Sequence, residues 1–275
     1  MFHQMAIGMK TVAPLGMSAV LKAAIAAVKL AAAEEIKPRY TKITQQRRTE
    51  ESVAADVVQA VHLTLEKKLQ AIVNVPILDA NLSPQEQHAL WLTGDAWCIN
   101  PVDSVSNLMR GLPYFSISVA LLREGKVVLG VVYAPVDEEL FVAELGKGAF
   151  LNGQKIVGNE TVGSLEAALA SVDFRRLNTQ LIARLSVQPP YHTHRNFGAS
   201  ALDWCYTAAG RYDVYLHGGQ QLWDYAAGAL ILQESGAFVC CIEQDDFAQG
   251  NVWQRSVIAS RDLKLFEAWR DWVRG

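Results

Sequence analysis

The sequence predicts a mixed α/β (α+β) protein of two layered sub-domains, on three observations. Short β-branched runs and hairpins crowd the first half, strand and helix patterns alternate in the second, and the change falls near residue 155. The third is composition: 51% of 275 residues are hydrophobic and 19% charged, enough apolar side chain for a large core and ordinary for a soluble chain. The boundaries read as a tail over 1–17, an α+β sub-domain over 18–155 and an α/β sub-domain over 156–275.

Val20, Leu21, Ala24, Ile25, Val28 and Ala32 recur at helical spacing behind Ser18, a good N-cap, and predict an amphipathic first helix. Lys22 and Lys29 interrupt any signal-peptide core, and Met17 is the expected natural start. "KPRYTKITQQRRTEES" reads as a polar connection, its basic pair Arg47 and Arg48 answered at once by Glu50 and Glu51. Val57, Val61, Leu65 and Leu69 predict a second helix, "AIVNVPIL" a strand, and "AWCIN" a strand ended by Pro101. Two apolar runs around Glu124-Gly125-Lys126 predict a hairpin, and "ELFVAELGKGAFLNGQKI" a further one. Beyond residue 155, strands at "AALASVDF", "YDVYLHG" and "AFVCCIE" alternate with helices at "NTQLIARLSV", "ASALDWCYTAAG", "WDYAAGALILQESG" and "RDLKLFEAWRDWVRG".

Net charge is −3 with a pI near 6.1, so no basic footprint for nucleic acid is present, and no uncharged run approaches membrane-spanning length. Cys98, Cys205, Cys240 and Cys241 lack metal or disulfide spacing and read as reduced, packed thiols of a cytoplasmic protein. His192-x-His194 has no third ligand at suitable spacing and reads as a loop pair beside Arg195. Trp204, Trp253, Trp269 and Trp272 fit apolar faces.

Two acids stand where an oxygen-ligand metal site would place them. Asp103 follows Pro101 at a strand end, before "SVSNLMRG", which opens a helix able to hold a phosphate. Asp224 opens the helix of "LWDYAAG", where a capping role is the plainer alternative.

Four ordered stretches, "NPVDSVSNLMRGLPYFSISVAL", "GVVYAPVDEELFVAELGKGAFLNGQKI", "GASALDWCYTAAGRYDVYL" and "WDYAAGALILQESG", resemble the inositol monophosphatase family from about residue 18 onward. The resemblance implies an α-β-α-β-α layered sandwich, as in fructose-1,6-bisphosphatase, and a Mg²⁺-dependent phosphomonoesterase acting on sugar or inositol phosphates, usually as a homodimer. It implies metal ligation by Asp103, Asp224 and the carbonyl of Val102, and water activation by Asp56. Ser104 and the position of Val105 would contact phosphate, and Ser200 and His217 the rest of the substrate.

Several family positions are replaced. Ala80, twenty residues before Asn100, stands for a ligand Glu; Asn100 stands for the Asp that bridges two metals; Val105 stands for the water-orienting Thr; His217 stands for a substrate-contacting Glu. An amide cannot bridge two cations, and losing two carboxylates costs several kcal/mol of Mg²⁺ binding at effective dielectrics near 20. Little ordinary phosphatase activity is therefore expected. The alternatives are an active enzyme with altered metal stoichiometry, and an interaction protein using the fold's surface. Asp79 and Asp95 are the nearest replacement acids, but Asp79 is one residue out of phase with position 80 on a strand, and Asp95 sits in turn chemistry.

Overall fold

The computed structural model describes residues 17–46, 51–158 and 162–275. Residues 1–16 of the expected tail and the basic pair Arg47–Arg48 lie outside the described residues. Helix α1 (Ala19–Ala31) starts where expected, the Ser18 hydroxyl accepting from the Leu21 amide at 3.1 Å. The polar connection after it is a correction: a π-helical turn over Ala32–Ile36 leads directly into α2 (Lys37–Gln46). Pro38 has no N–H to give to an α-helical ladder, and the wider π turn accommodates it. Past the proline, Tyr40 donates its hydroxyl to the Gly111 carbonyl and Ile43 is buried, which anchors α2.

Helix α3 (Glu51–Ile72) buries Ala54, Val57, Val61, Leu65 and Leu69 along one stripe. The strand expected over "AIVNVPIL" shrinks to β1 (Ile77–Leu78), because Ala71 and Ile72 finish α3 instead. Then come α4 (Pro84–Thr93), β2 (Ala96–Asp103), α5 (Val105–Met109), β3 (Ser116–Arg123), β4 (Lys126–Ala134), β5 (Glu139–Glu144), β6 (Ala149–Leu151) and β7 (Gln154–Lys155). Strands β1 to β7 form one sheet in sequential order, β1 parallel to β2 and the rest antiparallel.

The second half supplies β8 (Leu169–Asp173), α6 (Thr179–Val187), β9 (Thr193–Arg195), α7 (Ser200–Ala208), β10 (Val214–Gln220), α8 (Leu222–Glu234), β11 (Phe238–Cys240), β12 (Arg255–Ser260) and α9 (Leu263–Arg274). Their sheet runs β11-β12-β10-β8-β9, with β10-β8 and β8-β9 parallel. His194 and Arg195 thus belong to an edge strand rather than a loop, paired through Thr193–Arg195 to Leu169–Ser171.

Three apolar layers separate these elements. One lies between α1, α3 and the outer face of the first sheet, where Val57, Val61, Trp97 and Ile117 meet. A second fills the space between the sheets, built on α7 and α8 with Phe141, Trp204, Tyr215 and Leu230. The third packs α6 and α9 on the second sheet through Leu181, Leu185, Phe266 and Trp269. The result is the α-β-α-β-α sandwich. Helices α7 and α8 touch closely because residue 228 is glycine: a Cβ there would sit 2.6 Å from that of Trp204. All four cysteines are buried and unpaired. Among the described residues, no helix is long and apolar enough to cross a membrane.

Candidate active site cleft

The cleft forms where β2, β8 and β10 end and α5, α7 and α8 begin, an edge of about 280 Å³ lined in part by Asp103, Ser104, Ser200, His217 and Asp224. Five residues expected from the sequence therefore converge. Strand β2 delivers Asp103 through a local slip: Asn100 pairs with Ser118, but Asp103 pairs with Ser116. Pro101 lies inside that slip, where a missing N–H does not interrupt regular pairing. The Asp103 Oδ2 then accepts from the Ala201 amide at the start of α7, at 2.7 Å.

Asp224 is the third residue of α8 and accepts from the Gln221 amide at 3.2 Å, so the capping role is real. Its other oxygen accepts from the Asn100 Nδ2 at 3.0 Å. Burial pushes the Asp103 carboxyl well above the usual carboxylate range, with the nearby Asp224 charge adding to it. Burial likewise lifts Asp224 to about 6, against the opposing Gln221 amide. Two desolvated acids facing one cleft hold a negative charge only at a cost.

His217 is also held by local geometry. Its Nδ1 accepts from the Gly219 amide at 3.0 Å, so the proton of the neutral ring is on Nε2, which lies 3.6 Å from Asp173. Burial depresses its pKa to about 4, which keeps the ring neutral at physiological pH.

Other expected residues fall elsewhere. Asp56 is an exposed residue of α3, off the buried Ala54–Val57–Val61 stripe, and does not line the cleft. Ala80 is exposed beyond β1, also outside the lining. Val105 packs against the apolar layer containing α3; the Val102 side chain is buried within that layer, which does not bear on the role expected of its carbonyl. Helix α5, expected to present its amides to phosphate, spans only Val105–Met109.

Neither replacement acid enters the cleft. Asp79 is 3% exposed and turned toward the His62 ring, with a second oxygen accepting from the Asn81 amide at 2.8 Å. Asp95 accepts from Arg123 and from the Glu124 amide in its turn.

The sequence reading passed over Arg175 and Arg176, which line the same cleft. Arg175 grips Asp173, its Nε at 3.0 and 2.9 Å from the two carboxylate oxygens. Arg176 donates through Nη1 to the Gly219 carbonyl at 2.9 Å. A signal existed: both follow the C-terminal end of a strand in a parallel β-α unit, where open α/β sheets bind ligands.

The inositol monophosphatase family pattern matches residues 17–270. The chain is 38% identical over 149 residues to the Nus factor SuhB of Pasteurella multocida, and 36% identical over 170 residues to the inositol-1-monophosphatase of Caulobacter vibrioides. These matches cover 52% and 60% of this chain and 55% and 66% of those relatives, so the chain spans between half and two thirds of their length. Extragenic suppressor protein suhB of Bartonella henselae superposes with a TM-score of 0.77 at 26% identity, over 94% of this chain and 100% of that one. A layered sandwich shared with a solved relative and a family match across nearly all of its length agree: this chain belongs to the inositol monophosphatase family.

Proposed function

We propose that this family member keeps a cleft for a sugar or inositol phosphate but has lost metal-supported hydrolysis, so that ordinary phosphatase turnover is weak or lost. The family is generally metal-dependent. The observation carrying the proposal is the Asn100 amide, which donates to Asp224 at the position where the resemblance implies a bridging carboxylate. Three of the four oxygens on Asp103 and Asp224 already accept from Ala201, Asn100 and Gln221, and Ala80 offers none. Among the described residues, no group of three or more His, Cys, Asp and Glu is arranged to hold a metal. This donor set does not fit Mg²⁺ held between several carboxylates. The chain's own residues then act as a binding cleft, with Ser104 and Ser200 offering hydroxyls and neutral His217 shaping one wall.

The test is phosphate release from sugar, inositol and nucleotide monophosphates with Mg²⁺, Mn²⁺ or chelator, beside the triple variant A80E/N100D/V105T. Silence from the unmodified chain with turnover by the variant supports the proposal. Metal-dependent turnover by the unmodified chain refutes it and favours a second reading, an active phosphatase with altered metal stoichiometry. That reading draws on the two buried acids that share the cleft, Asp103 and Asp224. A third, a binding role through the outer surface, draws on a relative named as a Nus factor. A homodimer is the assembly proposed, checked by light scattering.

A further inference from the structure

We infer that the cleft binds a small phosphate-type oxyanion directly through Arg175 and Arg176, with no metal ion between them. This rests on the proposed loss of the metal site, because a phosphate group needs cationic neutralisation from some other source. Guanidinium groups are suited to that role, since their planar donor fork matches oxyanion geometry.

The pair stands on a built loop. Strands β8 and β10 run parallel, and the chain leaves β8 at Asp173 to place both arginines over the last residues of β10. Arg176 adopts a left-handed backbone with φ 65°, uncommon for a residue with a side chain. Its carbonyl packs where a Cβ of residue 218 would be, 2.3 Å away, so only glycine at 218 lets the loop close on β10. The Gly219 carbonyl then fixes one nitrogen of the Arg176 fork.

The charges divide unequally. Arg175 is neutralised by Asp173 through Nε and Nη2 while its side chain stays 68% exposed. Arg176 makes no direct ion pair among the described residues; its charge acts through space on Asp224, which it helps to keep ionised. Asp103 and Asp224 turn oxygens toward Ala201, Asn100 and Gln221, which are donors of the fold itself. Ser104, Ser106 and Ser200 line the same space, the Ser104 and Ser106 hydroxyls 3.2 Å from each other, and bring further hydrogen-bonding groups for an oxyanion. At about 280 Å³ the cavity is near the lower end of small-molecule sites, enough for a phosphate with a small polyol.

The test titrates the full chain in chelator with inorganic phosphate and, separately, with a hexose monophosphate, by calorimetry and thermal shift against chloride at matched ionic strength. Saturable stabilisation by phosphate is expected, weakened about tenfold or more in Arg176→Gln and unchanged in Arg211→Gln, whose partner is Glu139 outside the cleft. If Arg176→Gln fails to fold, Arg176→Lys keeps the charge, removes the fork and reads the same contact. Equal affinity for both probes assigns the site to the oxyanion alone, and tighter hexose monophosphate binding adds a polyol contact. No saturable response to either probe, binding only with added metal, or binding indifferent to residue 176 overturns the inference. Turnover is measured in the separate assay above, so loss of this inference and loss of the proposed function are told apart.

Discussion

Asn100→Asp returns a carboxylate to the end of β2 and sets it against Asp224, where the native amide donates at 3.0 Å. Two full charges at that separation repel by about 5 kcal/mol at an effective dielectric near 20. The protein has a cheaper escape. Asp224 already sits at about 6, so binding a proton there at pH 8 costs about 3 kcal/mol, and that sets the ceiling. At pH 5 the proton is already bound and can be shared, so the cost largely vanishes. The expected result in chelator is a Tm lowered by roughly 5–10 °C at pH 8 and nearly unchanged at pH 5, read by calorimetry or circular dichroism. Adding Mg²⁺ at pH 8 should recover part of the loss in the variant and little in the parent. A variant as stable as the parent at pH 8 would show that the side chain at position 100 is not held against Asp224, and the reasoning about this site would go with it.

Three further outcomes follow from the packing. Burial lifts Asp203 from 3.8 to about 7, so the folded state holds more protons than the unfolded one between those values and stability falls as pH rises through that window; Asp203→Asn should flatten this slope, and an unchanged stability–pH curve would contradict it. His62→Ala leaves buried Asp79 without its ring partner and should cost about 3 kcal/mol in urea unfolding near pH 6. Because the partner raises the pKa of His62 and the hydrogen bonds on Asp79 outweigh its burial and lower its own, the cost should shrink both well above pH 6.5 and below pH 3.8. Trp269→Ala removes a fully buried ring whose indole N–H donates to the Tyr215 carbonyl at 3.1 Å, and a loss of about 3–5 kcal/mol is expected by denaturant titration.

Much of the architecture was legible because local patterns agree with the burial they require. The stripe Val57, Val61, Leu65 and Leu69 is fully buried, and the hairpin about Glu124-Gly125 pairs as its alternation demands. Helix α2 was hidden because Pro38 masks a helical spacing that a π turn rescues. The strand before Asp79 was overdrawn because a β-branched run says nothing about where the preceding helix stops.

By itself the sequence determined the layered fold and placed Asp103 at a strand end and Asp224 at a helix start, since residue identity and periodicity are local properties. Only the tertiary structure decided which side chains meet. Asp56 turned to solvent, Asp79 turned to His62, and Asn100 turned its amide on Asp224. Arg175 and Arg176 reached the same cleft because two parallel strands end together and Gly218 leaves room for the loop between them. Convergence across tens of residues depends on how sheets and helices pack, and no short stretch of sequence carries that information.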